Sequence, residues 1–320
     1  MRAGAIPGWV VALALGAGCG SSGDAHPAAD DAGSKHDAGD GQAGPGGDAA
    51  AQDAAGTGDG ARATDGARGD GAAGSRCQIT ATDATCQYES TTITGRPVAY
   101  ETPVGQAPTG GWPAVVYFQG SLVPGTDAFA AMSTATFGQY DLTLTVAALL
   151  ADGYVVIAPD ASGDGTTYWE TNIPPYADSW SGCPDDMLVK ALLSSISAGT
   201  FGPVNPARLY AMGISSGGFM TSRMAVSYAG TFRALADHSG SYATCSDTCV
   251  VPTPLPAGHP PTLFLHGDTD EVVPLSAIQP YLDALMAEGY ETQLVTDATA
   301  GHQWLSEAVQ AVPAWFDSHP

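Results

Sequence analysis

The sequence predicts an α/β domain: a mostly parallel sheet covered by helices on both faces. Three observations carry this. Continuous apolar runs, Ala-Val-Val-Tyr-Phe at 114–118 and Val-Val-Ile-Ala at 155–158, have no wet face and belong in strands buried on both sides. Segments of helical length separate such runs, which is the alternation of βα units. Gly and Pro punctuate the joints.

The elements follow in order. Cys86–Thr94 and Pro97–Thr102 read as an opening hairpin, and Pro113–Phe118 as the first buried strand. Tyr140–Ala151 reads as an apolar-rich helix and Tyr154–Ala158 as the second buried strand. Asp185–Ser197 is a helix with Asp185 as its expected N-cap. Arg208–Met212 is a strand running into a helix over Ser216–Tyr228. Ala234–Asp237 and Thr262–Leu265 are short strands, Ser276–Glu288 a helix and Thr292–Val295 the last strand. Gln303–Phe316 is read as the final helix.

This domain is less than the whole of the 320 residues. Residues 20–76 hold no Ile, Leu, Val, Phe, Tyr or Trp. They cannot offset a backbone ordering cost of roughly 1–2 kcal/mol per residue, and a disordered Gly/Ala/Asp-rich linker is expected there. Ahead of it, Arg2 is the single charge before a short apolar run, Trp9–Ala17. That run is too short for a membrane span and fits a signal peptide over 1–19. Cys19 after Ala-Gly resembles the lipidation site of bacterial lipoproteins, although Leu15 stands four places before it rather than three. The expected location is therefore extracellular or at the cell surface, with a lipid anchor through Cys19 or plain secretion. In an oxidising compartment Cys77 is expected to pair with Cys86 and Cys245 with Cys249, unless Cys183 takes either of the latter. Zinc at Cys245-x3-Cys249 finds no second Cys or His pair close in sequence.

Net charge is −23. Within 77–320, 23 acidic residues face five scattered basic ones, Arg96, Lys190, Arg208, Arg223 and Arg233. That distribution offers no basic stripe and excludes nucleic acid as a partner. A neutral or cationic substrate is favoured.

Three chemically loaded segments fall at strand ends. Gly213-Ile-Ser-Ser-Gly217 joins a strand to a helix, the setting of a nucleophile elbow, with Ser215 as nucleophile. Small neighbours leave room for a strained turn, and the helix start aims N–H groups at developing negative charge. His266-Gly-Asp-Thr-Asp270 follows the strand Thr262–Leu265. Asp270 lies past the turn, where its side chain can reach back over the strand ends, so it is preferred to Asp268 as the acid. His266 is assigned a supporting role, and a metal set of His266, Asp268 and Asp270 is the rival. Gly301-His302-Gln-Trp304 follows the last strand, placing His302 as the base.

The order Ser215, Asp270, His302, with spacings of 55 and 32 residues, resembles the α/β-hydrolase fold family over essentially all of 86–317. More narrowly, Arg-Leu-Tyr-Ala-Met-Gly-Ile-Ser-Ser-Gly-Gly at 208–218, Ser-Gly at 239–240, His-Gly-x-x-Asp at 266–270 and Gly-His-x-Trp at 301–304 look like extracellular polyhydroxyalkanoate depolymerases and their esterase relatives. Feruloyl and acetylxylan esterases are similar too. The resemblance implies a serine carboxylic-ester hydrolase over 77–320 that needs no cofactor and no metal, and a neutral apolar ester or polyester as substrate. Many relatives carry His-Gly after the third strand; here Gln119-Gly120-Ser121 stands. The expected oxyanion donors are the N–H groups of Ser216 and Ser121, with Gly120 as the fallback. Trp169, Trp180 and Trp304, with Tyr168, are expected to flank the cleft as substrate-binding aromatics. A carbohydrate esterase, a serine peptidase and a non-catalytic surface lipoprotein on the same scaffold remain the alternatives.

Overall fold

A computed structural model describes residues 75–161, 169–172, 180–243 and 251–320. The expected signal peptide, Cys19, the linker up to residue 74, Tyr168 and the expected Cys245–Cys249 pair lie outside the described residues.

Eleven strands and five α-helices make up the described residues. Strands β1 (Cys77–Ile79), β2 (Asp83–Cys86) and β6 (Ala130–Met132) form a small antiparallel sheet. The expected Cys77–Cys86 disulfide closes its first hairpin. The guanidinium of Arg76 pairs with the buried Glu101 carboxylate.

The main sheet has eight strands in the order β11-β10-β9-β8-β5-β7-β4-β3. The expected hairpin, β3 (Glu89–Ile93) and β4 (Arg96–Glu101), forms one edge, with β4 antiparallel to β7 (Val155–Pro159). From β7 onward every pairing is parallel, through β5 (Trp112–Phe118), β8 (Val204–Ile214), β9 (Phe232–His238), β10 (Thr262–Gly267) and β11 (Thr292–Asp297). All seven residues of β5 and all five of β7 are buried. Burying each large apolar side chain in them favours folding by about 1.5–3 kcal/mol.

Two apolar clusters lie on opposite faces of this sheet. One packs Leu142, Val146, Leu149 and Leu150 of α1 (Gln139–Ala151) and Val312 and Phe316 of α5 (Ala308–Asp317) onto Tyr117, Tyr154 and Tyr210. The other packs Leu188, Val189 and Leu192 of α2 (Pro184–Ser197) and Met220 and Met224 of α3 (Ser216–Ser227) onto Val116, Ile157 and Leu209. Helix α4 (Gln279–Ala287) buries Tyr281, Leu282 and Leu285 in a smaller third cluster. This is an α/β-hydrolase fold.

Two expectations are corrected. The N-cap of α2 is Cys183, whose Sγ accepts the Asp186 N–H at 3.4 Å. Asp185 is instead buried, paired with the Arg96 guanidinium and accepting the Glu170 N–H at 2.7 Å. Burial lifts its carboxyl to about 6 against the opposing pull of Arg96. The last helix begins at Ala308 rather than Gln303, because residues 303–307 are committed to contacts that hold the loop before them.

Candidate active site

Strand β8 ends at Ile214 and α3 begins at Ser216, leaving Ser215 alone on the turn with φ 58° and ψ −123°. A non-glycine residue rarely occupies that region, and holding it there costs of order 1–3 kcal/mol. The surroundings enforce it. The Ser215 N–H donates to the His238 carbonyl at 2.9 Å, tying the elbow to the end of β9. A Cβ on Gly217 would stand 2.0 Å from the Phe118 carbonyl oxygen, and one on Gly213 would stand 2.4 Å from that of Gly217. Only glycine lets strand, elbow and helix close so tightly. Ser215 is left half-buried at the C-terminal ends of the parallel strands.

The expected acid and base, Asp270 and His302, meet on the next two loops. His302 Nδ1 donates to Asp270 Oδ2 at 2.8 Å. The other carboxylate oxygen accepts the Val272 and Val273 N–H groups, each at 2.9 Å. The Asp270 side chain is fully buried. Burial alone would raise its pKa, but the hydrogen bonds from His302 and the two valine amides outweigh it and hold the carboxyl below the usual range. Asp268 is exposed, so the preference for Asp270 over it agrees with the geometry. His266 has the supporting role expected of it: its Nε2–H donates to the Val273 carbonyl at 2.7 Å and braces the acid loop. Among the described residues no group of three His, Cys, Asp or Glu side chains is placed to hold a metal ion.

Backbone contacts lock the acid loop to the histidine loop. Thr269 N–H and Oγ1–H both donate to the Ala300 carbonyl, at 3.0 and 2.8 Å. A Cβ on Gly267 would come within 2.3 Å of that same oxygen. The Asp297 carboxylate accepts the Thr299 and Ala300 N–H groups and shapes the turn leading to His302.

The expected oxyanion residues lie on the elbow helix and on the loop that leaves β5. Ser216 opens α3, so its N–H has no intrahelical acceptor. Its hydroxyl is engaged elsewhere, accepting the Trp169 N–H at 2.8 Å. Gly120 lies against the elbow, where an added Cβ would touch Ile214 at 3.5 Å and Ser215 Cβ at 3.8 Å. Ser121 follows, half-buried, at the start of the loop that leaves β5.

The three tryptophans expected to flank the cleft are buried. Trp169 is wholly buried, its Nε1–H donating to the Gln119 carbonyl at 3.0 Å and its ring edge-on to Phe118. It is thereby bonded to the segment that leads into the expected oxyanion loop. Trp304 is wholly buried as well, its Nε1–H bonded to Thr145 Oγ1 at 3.0 Å. Trp180 is buried under the Arg223 guanidinium and edge-on to Tyr228. Indole is too large and apolar to remain outside when a pocket with one acceptor is present.

One residue with a part in the site escaped the sequence reading. His238 is buried, its Nε2 accepts the Leu305 N–H at 2.8 Å, and its ring stacks on Trp304 at 4.8 Å. Burial, with His266 and His302 nearby, holds it well below the usual histidine pKa, so it is neutral. Asp237 beside it is buried against Gly218 and Gly240, where a Cβ would stand 2.6 and 2.3 Å from its Oδ1. Position before the acid in the chain hid His238; its adjacency to Ser239-Gly240 was the available sign.

Comparison with known proteins agrees with this geometry. No family-level sequence model matches the chain. The solved structure of a puromycin-hydrolysing peptidase from Mycobacterium tuberculosis superposes with TM-score 0.52 at 20% identity, over 73% of this chain and 39% of that one. A truncated carbohydrate esterase from gut microbiota superposes with TM-score 0.50 at 14% identity, over 73% of this chain and 96% of that one. Both share the fold. A poly(3-hydroxyoctanoate) depolymerase of Pseudomonas fluorescens is 46% identical over 260 residues, which cover 78% of this chain and 92% of the relative. With an elbow, an acid–histidine pair and a likeness of that extent, the chain belongs to the poly(3-hydroxyoctanoate) depolymerase family of α/β-hydrolase-fold enzymes.

Proposed function

We propose that this chain is an exported serine esterase that depolymerises an aliphatic polyester through an acyl-enzyme. The observation that carries the reading is the buried Asp270–His302 hydrogen bond, in a chain that also holds Ser215 strained and half-buried on the strand-to-helix turn. The 46% identity to a poly(3-hydroxyoctanoate) depolymerase directs the substrate class toward polyesters with medium-length side chains. The acidic domain favours an uncharged ester over a polyanion.

The Asp270–His302 bond and the Ser215 elbow support the following roles. Asp270 accepts from Nδ1 of His302 and so leaves Nε2 as the free, basic nitrogen. His302 takes the Ser215 hydroxyl proton as Oγ attacks the ester carbonyl. The N–H groups of Ser216 and Ser121 receive the oxyanion, each contributing about 3–4 kcal/mol to transition-state stabilisation. The tetrahedral intermediate collapses, His302 returns the proton to the leaving alkoxide, and an acyl-Ser215 ester remains. Water, deprotonated by His302, repeats the sequence and frees the acid.

Export is supported by the Cys77–Cys86 disulfide and by the apolar start of the chain. A lipid on Cys19 would hold the enzyme at the cell surface. The decisive experiment is clearing of a poly(3-hydroxyoctanoate) film with labelling by a fluorophosphonate. Clearing and label, both lost in Ser215→Ala, are expected. Labelled enzyme that cleaves feruloyl or acetyl esters of sugars, and leaves the film intact, would replace the polyester with a carbohydrate ester.

A further inference from the structure

We propose that Leu122 and Phe137 form an apolar seat for the aliphatic acyl chain of the ester, Leu122 on the loop that leaves β5 past Ser215 and Phe137 on a segment bonded to the loop of His302. The inference builds on the ester-hydrolase reading of that centre and not on the polymer.

Both side chains belong to the connection between β5 and α1, which the Gln139–Asp127 hydrogen bond at 3.2 Å folds back on itself. Leu122 stands two residues past Gly120, which lies against the elbow at Ile214 and Ser215. Phe137 is fixed to the other loop, its carbonyl accepting the Trp304 N–H at 2.9 Å, two residues past His302. The next residue, Gly138, is pressed onto the Trp304 backbone, where a Cβ would stand 2.1 Å from the carbonyl oxygen. The two residues are thus held by the loops that carry the oxyanion donor and the base.

Each is 58% exposed. Each also holds a left-handed backbone, φ 68° at Leu122 and φ 58° at Phe137. Bulky side chains are rare in that region, and glycine or asparagine would satisfy it at lower cost. Exposure and strain together disfavour these residues on stability grounds, twice over. Strained positions of this kind gather at ligand-binding edges. The flanking stretches 119–125 and 130–138, Asp127 lying between them, carry no charge, which suits a neutral aliphatic chain and no ionic group. Among the described residues, Leu122 and Phe137 are exposed apolar side chains on the two loops, whereas Trp169 and Trp304 are buried.

The test compares kcat/KM on p-nitrophenyl octanoate with that on p-nitrophenyl acetate. Leu122→Asn and Phe137→Asn remove the apolar surface and suit the left-handed backbone, so Tm should hold or rise. The octanoate-to-acetate ratio should fall about fivefold or more in each variant, in line with lost burial of a few methylenes. Leu122→Met should keep the ratio. Met286→Ser, an equally exposed apolar position on α4, should leave it unchanged. A ratio within about twofold of wild type in the Asn double variant, or an equal fall in Met286→Ser, overturns the seat. A wild type that prefers octanoate but leaves the polyester film intact rejects the polymer reading, and the variant ratios still judge the seat. Absence of turnover on either soluble ester overturns both.

Discussion

The main-chain carbonyl of His238 holds the Ser215 N–H at 2.9 Å, while the imidazole of the same residue holds the loop of the base through Leu305. One buried residue at the end of β9 therefore sets the elbow and the histidine loop relative to each other. Its Nε2 has to remain an acceptor, which requires the neutral ring that burial enforces.

His238→Phe keeps the stack on Trp304 and the backbone carbonyl but strands the Leu305 N–H. An unsatisfied buried donor costs about 1–3 kcal/mol, and a misplaced base costs rate. The expected result is a kcat lower by about 10–100-fold with KM little changed. His238→Gln, whose Oε1 can accept from Leu305, should recover most of the loss. Steady-state kinetics on a soluble ester, beside Tm, decides it. A fall in Tm with unchanged kcat would make His238 a packing residue only.

Ser215 offers a separation of chemistry from strain. Ser215→Ala and Ser215→Gly should both abolish turnover and fluorophosphonate labelling. Glycine alone suits φ 58° and ψ −123°, so Ser215→Gly should melt above Ser215→Ala by the equivalent of about 1 kcal/mol. Residual turnover within tenfold of wild type in either variant would move the nucleophile elsewhere.

The two aspartates of the acid loop should behave very differently. Asp270→Asn presents an amide to His302 Nδ1 and favours the wrong tautomer, which costs on the order of 10⁴ in kcat in an analogous triad. Asp268 is exposed, and Asp268→Asn should stay within about twofold of wild type, the usual range for a surface change. The same assay on both proteins suffices, and reversed effects would exchange the two assignments.

Much of this was legible because the site sits where period and punctuation change. Buried strands at 114–118 and 155–158, and a Gly-flanked Ser between strand and helix, read the same way in sequence and in structure. Position past the turn then singled out Asp270 from Asp268, and position after the last strand singled out His302. Side-chain direction was not legible. Nothing local told an indole facing solvent from one whose N–H finds Thr145, 159 residues away. The small sheet escaped for a related reason: β2 and β6 are four and three residues long, and their pairing joins segments far apart in sequence. Residues 303–307 keep a helical pattern, yet tertiary bonds from Trp304 and Leu305 hold them out of α5.

The acid side of the stability profile should expose the buried histidines. His259 donates Nδ1–H to the Pro260 carbonyl at 2.7 Å and accepts the Tyr281 hydroxyl at Nε2, so it too has to be neutral. Burial lowers it to about 4, against the favourable field of Glu288 and the Pro260 bond. A histidine with its folded pKa depressed leaves the unfolded chain binding the extra proton, so stability is complete above the unfolded pKa near 6.5 and falls as pH drops toward 4. His238 and His266 are shifted in the same direction. Asp237, raised by burial, works the opposite way and loses stability as pH rises above the usual carboxylate range. It contributes equally to wild type and to a His259 variant and cancels in their difference. His259→Gln should therefore melt below wild type at pH 8, where the bond to Tyr281 is lost or weakened. Its Tm should fall less steeply between pH 6.5 and 4, by up to ~3 kcal/mol of stability across the window. Parallel Tm-against-pH curves for the two proteins would mean that His259 is protonated in the native state and that the Tyr281 hydroxyl is not its donor.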